Sequence, residues 1–327
     1  MNTRYLLALA SALTLAGCGN DSAASSTIDV MKAPRGLENV RMVPSPENPM
    51  TPQKVELGKH LFFDTRLSSN GAMSCQTCHL HEHGWTDGKR FSTKVDGSMN
   101  TRNSPTLYNL GYHDHLYWDG RADSLESNIT AAWKGHMGGD PDAMAKSLDA
   151  IPGYHSMFRA AFGEDPTGKL VVFALASFVR SLRAGDSAFD RNELSADAKA
   201  GQQIYMQRCV SCHTAPLFTD TKFHNVGMGE KPDVGRGKYD ESLQGAFKTP
   251  TLRNVTKTAP YFHDGSVATL REAVTIMAHG GVDNPNRDPI LQANASLPEL
   301  TSEQTDQLLA FLGALDSHEK FSPPKLP

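Results

Sequence analysis

Apolar residues recur at helical spacing along much of the chain, and the clearest runs carry their own start signals. Thr51-Pro52 predicts a helix start, with Thr51 as N-cap, Pro52 in the first turn, and Val55, Leu61 and Phe62 on the buried face. Ser195 predicts a second start, followed by Ala198, Ile204 and Tyr205 at helical spacing. Leu170, Ala174, Phe178 and Leu182 define another face. The apolar run there ends at Arg180 and Arg183, too short to span a bilayer, so it reads as a buried core helix. Leu270, Val274 and Met277 define a further helix ending at Gly280-Gly281. Thr301 with Gln304 forms a capping box before Leu308, Leu309, Phe311, Leu312 and Leu315. Long connections with Gly and Pro, such as Asn225 to Tyr239, lie between the helices. The pattern predicts a mainly α fold with long loops and little sheet. Gly58-Lys59-His60-Leu61-Phe62 is similar to Gly201-Gln202-Gln203-Ile204-Tyr205, which suggests a diverged internal repeat.

Each copy of that segment is followed by the same chemistry. Cys75-Gln76-Thr77-Cys78-His79 and Cys209-Val210-Ser211-Cys212-His213 are Cys-x-x-Cys-His motifs. The pattern attaches c-type haem: two thiols add to the porphyrin vinyl groups and the next His lies beneath the iron. A zinc site and a dithiol redox pair are the alternatives. Zinc would combine both Cys pairs without needing a His after each, and a thioredoxin-like motif would not need a second copy. Haem surfaces would also explain how long loops find something apolar to pack on.

The fifth cysteine, Cys18, ends Leu15-Ala16-Gly17-Cys18, after Arg4 and the apolar run Tyr5 to Ala16. This reads as a lipoprotein signal peptide over 1–17, with Cys18 lipidated and outer-membrane sorting favoured by Gly19-Asn20; an ordinary secretory signal is the alternative. The polar, Pro-bearing stretch 18–48 reads as a flexible tether. The formal charge is −4, and loss of Arg4 makes the remainder more acidic, which argues against nucleic-acid binding. The expected units are a first haem domain over 49–190 and a second over 191–327.

The ordered blocks FFDTRLSSNGAMSCQTCH, TRNSPTLYN, YWDGRADSLE, CVSCH, FHNVG, GAFKTPTLRNV, APYFHDGS and TLREAVTIM resemble the bacterial dihaem cytochrome c peroxidase family. That family includes the dihaem enzyme that matures the tryptophan-derived quinone of methylamine dehydrogenase. The resemblance covers about residues 50–316 and implies two cytochrome c-like domains with two covalent haems. The haem on Cys75, Cys78 and His79 would meet peroxide; the one on Cys209, Cys212 and His213 would relay electrons. It implies Met277 as distal ligand of the relay iron, where a thioether raises the potential. Read alone, Met277 is a core residue of an amphipathic helix. Trp118 matches the Trp between the two haems. Asn103, Thr258 and Pro260 match ligands of an inter-haem calcium ion, Asn103 through its side chain and the others through carbonyls. Arg253 and His263 read as haem-propionate or inter-domain contacts.

Two departures from the family change the picture. The His that ligates the resting peroxidatic iron in many members is missing from Val95 to Thr101, which predicts an open iron unless His81, His83, His113 or His115 substitutes. The family's distal Glu is also missing from Ala132 to Gly138, leaving His136 as candidate acid/base. Glu126 belongs to a shared helix motif and is not assigned this task. The implied function is peroxide reduction to water by a periplasmic, lipid-anchored enzyme fed by a small cytochrome c or cupredoxin, with a homodimer among the expected partners. The alternatives are oxidation of a protein Trp or Tyr, and electron carriage without chemistry. Four thiols spaced for four thioether bonds predict that mass analysis of the holoprotein shows two haem additions; a single addition would remove the dihaem reading.

Overall fold

The computed structural model describes residues 31–229, 233–318 and 321–327; the signal segment and Cys18 lie outside them. The chain is mainly helical. The helices are α1 (Pro52–Phe63), α2 (Leu125–Met137), α3 (Pro141–Asp149), α4 (Pro152–Phe162), α5 (Gly168–Ser181), α6 (Ala196–Arg208), α7 (Leu270–Ala278), α8 (Pro289–Ala295) and α9 (Ser302–Gly313). Among the described residues the only sheet pairs β1 (Phe223–His224) with β2 (Phe247–Lys248), antiparallel. The predicted caps form: Thr51, Ser195 and Thr301 each accept a backbone N–H three residues on. Thr301 and Gln304 complete the capping box.

Two apolar cores result. The first is built around α1, α2 and α5, the second around α6, α7 and α9. Each has the same helix crossing at its centre. Gly58 of α1 lies against the backbone of α5 at Ala174, and Gly201 of α6 against α9 at Gln307; a Cβ at either glycine would collide with that backbone. Glycine is therefore required by the close approach of two helices. The segment similarity seen in sequence corresponds to one repeated packing solution.

The repeat extends further than the sequence reading reached. Ser104-Pro105-Thr106-Leu107 corresponds to Thr249-Pro250-Thr251-Leu252, and Asp119-Gly120 to Asp264-Gly265. Asn109 and Asn254 both adopt left-handed φ, as do Tyr117 and Phe262. The bridges Leu116↔Ala122 and Tyr261↔Val267 close matching turns. Trp118 and His263 thus occupy equivalent positions in the two copies.

The tether expected over 18–48 is corrected from residue 31 onward. Leu37 and Asn48 are fully buried. Val43 donates its N–H to Gly111 O (2.9 Å), and Asn48 Nδ2 reaches Glu126 Oε1 (2.8 Å) and Phe173 O (2.9 Å). Polar, Pro-rich composition misled here because the segment pairs its polar groups with the first core instead of with water. Glu126 in turn holds Arg180 through two bonds, 2.8 and 2.7 Å, so the charge that ends the apolar run of α5 is matched internally.

Arg253 forms a buried two-point pair with Asp190, 2.7 and 2.8 Å, and donates Nε to Pro216 O. It ties the segment after α5 to the second core, which answers the choice left open for it. Burial alone would raise the Asp190 pKa, but hydrogen bonds from Arg253 and Ser187 outweigh it and hold the carboxyl below its usual range. Asp190→Asn leaves a buried guanidinium unmatched and should cost about 3–5 kcal/mol in chemical denaturation followed at the second core. Because the folded pKa is depressed, this stability is present above the ordinary carboxylate value, about pH 4, and is lost as pH falls through the lower folded value. The stability difference between wild type and Asp190→Asn should therefore shrink on acidification; a gap that persists at low pH would contradict the assignment.

Candidate functional site

The two Cys-x-x-Cys-His motifs open onto two adjacent cavities. The first, about 460 Å³, is lined by Cys78, His79, Trp118 and His136 among others. The second, about 180 Å³, is lined by Cys209, Cys212, His213 and Met277. Cys75 packs against the first core beside its motif. Trp118, Lys248, Pro250, Val255, Tyr261 and Phe262 belong to the walls of both.

Each motif His is oriented in the same way. His79 Nδ1 lies 2.8 Å from Trp85 O, and His213 Nδ1 lies 3.1 Å from Phe218 O. A carbonyl can only accept, so Nδ1 carries the proton and Nε2 keeps its lone pair for an iron. Burial lowers both histidine pKa values despite these hydrogen bonds, which keeps the rings neutral. Trp85 and Phe218 both have left-handed φ, +63° and +54°. These strained turns aim the two carbonyls back at the imidazoles.

The cysteines do not fit zinc. The two Cys pairs open onto different cavities, Cys78 on the first and Cys209 with Cys212 on the second, so they do not converge on one tetrahedral site. Among the described residues, no cluster of potential metal ligands includes Cys75, Cys78 or His79. Cys212 does lie near Asp220 and His224, but His224 has both ring nitrogens engaged, Nε2 with Asp220 (2.9 Å) and Nδ1 with Asp288 (2.6 Å). The Asp220 hydrogen bond above all pushes His224 up to about 11, so it is an imidazolium clamped between carboxylates.

Haem c fits better, and one group tests the fit. His113 is buried, lines the first cavity, and has no hydrogen-bond partner for either ring nitrogen. Burial, then the nearby Lys248 charge, drives its pKa well below normal. Lys248 is itself buried and donates Nζ to His115 O (2.7 Å); burial lowers it to about 8. An orphaned imidazole beside a buried ammonium suits an anionic group entering the cavity, as the carboxylates of a haem would. The sequence reading missed Lys248, although it lies in the quoted block GAFKTPTLRNV.

Of the four histidines considered as substitute ligands, only His113 lines the cavity. His83 is exposed. His81 packs near Trp85 and Phe321, and His115 near Phe223. The loop around Val95 is pinned to the end of α2 by Val95 N–H to His136 O (2.9 Å) and closed by the bridge Thr93↔Met99. His136, in the last turn of α2, lines the first cavity. Burial, then the Lys94 charge, lowers its pKa, so it is neutral at neutral pH. Glu126 is spent on Arg180 and Asn48.

Trp118 is fixed by backbone on both sides. Its Nε1 donates to Asn103 O (3.0 Å), and its own carbonyl accepts from Lys248 N–H (2.8 Å). Asn103 N–H donates to His263 O (2.7 Å), and His263 stacks on Phe247 at 3.6 Å between ring centroids. Arg102 adds a clamp, holding Asp119 (2.6 Å) and Asp233 (2.8 Å). Asn103, Thr258 and Pro260 all line the first cavity, and Asn103 Nδ2 donates to Lys89 O (2.8 Å).

Comparison with known proteins agrees with this chemistry. Residues 52–199 match the family model for di-haem cytochrome c peroxidase, and residues 198–316 that for cytochrome c. The chain is 37% identical over 321 residues to methylamine utilization protein MauG of Methylorubrum extorquens, covering 92% of this chain and 89% of that one. It is 33% identical to the cytochrome c551 peroxidase of Nitrosomonas europaea, covering 86% and 89%. A solved MauG-like protein associated with microbial copper homeostasis superposes with a TM-score of 0.77 at 29% identity, over 85% of this chain and 94% of that one.

Proposed function

The chain belongs to the di-haem cytochrome c peroxidase family of oxidoreductases, and we propose that it reduces hydrogen peroxide to water with electrons from a small c-type cytochrome or copper protein. The supporting observation is the chemical asymmetry of the two cavities: a neutral imidazole, His136, lines one, and a thioether, Met277, lines the other. Haem c, when bound, supplies a peroxide-reactive iron at the first site and an electron-relay iron at the second. Cys75 and Cys78 would hold the first group and Cys209 and Cys212 the second, with His79, His213 and Met277 as the residues that would ligate the irons.

The protein's own part is mostly proton handling and positioning. Neutral His136 takes the proton from one peroxide oxygen and returns it to the other as the O–O bond breaks, so that this oxygen departs as water; two electrons from the donor and two protons from solvent carry the remaining oxygen to a second water. His113 and Lys248 would meet the carboxylates of the cofactor at the wall of the first cavity. Trp118, held at both ends by backbone bonds, shortens the electron path through the shared wall. We assign Asn103 Oδ1 with the Thr258 and Pro260 carbonyls to a calcium ion at this wall, and the lipid on Cys18 to outer-membrane anchoring in the periplasm. A second reading, oxidation of a partner protein's Trp or Tyr, is favoured by Tyr239, which lines the first cavity yet is 49% exposed.

Steady-state peroxide consumption with a reduced small cytochrome tests the proposal. His136→Ala should slow it by about 10²–10⁴-fold with both haem spectra unchanged. In the wild type the rate should fall as pH drops through the lowered His136 pKa, because only the neutral ring accepts a proton. Wild-type kinetics in His136→Ala would remove His136 from this role.

Met277→His should keep the second iron six-coordinate while lowering its potential, because imidazole favours ferric iron more than a thioether does. Redox titration reads this directly, and an unmoved potential would make Met277 a packing residue.

A further inference from the structure

The turns that orient His79 and His213 depend on how Trp85 and Phe218 are packed, and the packing has an unexpected source. Trp85 is buried among Phe62 (5.6 Å between centroids), Phe178 (6.0 Å) and Phe321 (4.9 Å, edge-on). Phe62 and Phe178 come from α1 and α5 of the same core. Phe321 follows α9 of the other core. Its ring also stacks on Phe63 (5.6 Å, 16°) and lies beneath Lys59 Nζ (5.0 Å). The segment it leads runs on across the first core. Leu326 packs there, Pro327 O accepts from Arg66 (3.2 Å), and a side chain at Gly153 would collide with Pro327.

The second box is closed in the converse way. Phe218 is packed by Tyr205 (5.8 Å) and Phe311 (6.3 Å) of its own α6 and α9, and by Phe189 (5.2 Å), which follows α5 of the first core. Phe189 N–H donates to Ala314 O (3.0 Å), and the adjacent Asp190 is held by Arg253. Phe189 lies eight residues beyond the end of α5 at Ser181, and Phe321 eight beyond the end of α9 at Gly313. The two rings are equivalents within the repeat.

We propose that the segments after α5 and α9 are reciprocally exchanged straps, and that Phe321 and Phe189 are positioning residues, each fixing the imidazole-orienting carbonyl of the core opposite to the helix it follows. Phe321 acts on His79 through Trp85, and Phe189 on His213 through Phe218. The inference rests on the reading that these histidines ligate the two irons. Loosening a box weakens the Nδ1 hydrogen bond, lowers the basicity of the ligand and weakens the iron–histidine bond at that site alone.

The test uses the two-haem holoprotein. In Phe321→Ala, the iron–histidine stretch of the reduced first haem should move to lower frequency and its potential should shift upward, while the Met277-ligated haem is unchanged. In Phe189→Ala, the second potential should shift upward and the first site stay as in wild type. Phe321→Tyr should restore the first signal, and Phe321→Leu, which keeps bulk, covers the case in which the alanine variant does not fold. Lower thermal stability with both iron signals unmoved would overturn the proposal, as would each variant perturbing the site of the core it follows. His79→Gly separates the two layers of inference. If it leaves the first iron–histidine signal intact, the ligand reading fails. If it abolishes the signal while the Phe321 variants leave it in place, only the strap fails.

Discussion

A fixed acceptor for its Nδ1 proton sets the tautomer and orientation in which a buried imidazole offers Nε2 to a metal. In this chain the acceptor is a backbone carbonyl in a left-handed turn, Trp85 for His79 and Phe218 for His213. Much else serves that constraint. Left-handed φ is costly for an aromatic residue and persists only when packing over-determines it. The aromatic boxes around Trp85 and Phe218 provide that packing, and the α1–α5 and α6–α9 crossings at Gly58 and Gly201 provide the boxes. Burial then keeps both rings neutral, as ligands must be.

The two halves solve the same problem with the same parts and differ where their chemistry differs. Equivalent turns carry Trp118 in one copy and His263 in the other, and these meet through the backbone of Asn103. The cavities share a wall, so a charge there acts on both. Lys248 is such a charge, buried and common to the two linings. The asymmetry lies in His136 on one side and Met277 on the other, each on a helix whose place is fixed by its own core.

Much of this was legible in the sequence because it is local. Helix caps at Thr51, Ser195 and Thr301 depend on a few consecutive residues, and the Cys-x-x-Cys-His spacing is itself a geometric statement. Resemblance and position singled out His136 and Met277, and the first lines one cavity and the second the other. What escaped was non-local. Residues 31–48 look like a linker by composition, yet their partners, Glu126, Gly111 and Arg183, lie far along the chain. The second layer of the repeat was hidden by substitution at Trp118 and His263, although the Asn and Gly positions that set the turns were there to be matched. Lys248 carried no signal by itself, since a single lysine in a polar block reads as surface.

The clamp at Asn103 separates two properties that would otherwise be inherited together. The bonds joining the Trp118 and His263 turns use the main-chain carbonyl and N–H of residue 103, whereas its side chain is bonded to Lys89 O at the wall of the first cavity. Replacing the side chain therefore removes its bond to Lys89 O while leaving the main-chain bonds that align the halves intact. The polarity of the shared wall at this position can therefore vary without the join between the two halves being rebuilt, which leaves the wall free to change faster than the frame that carries it.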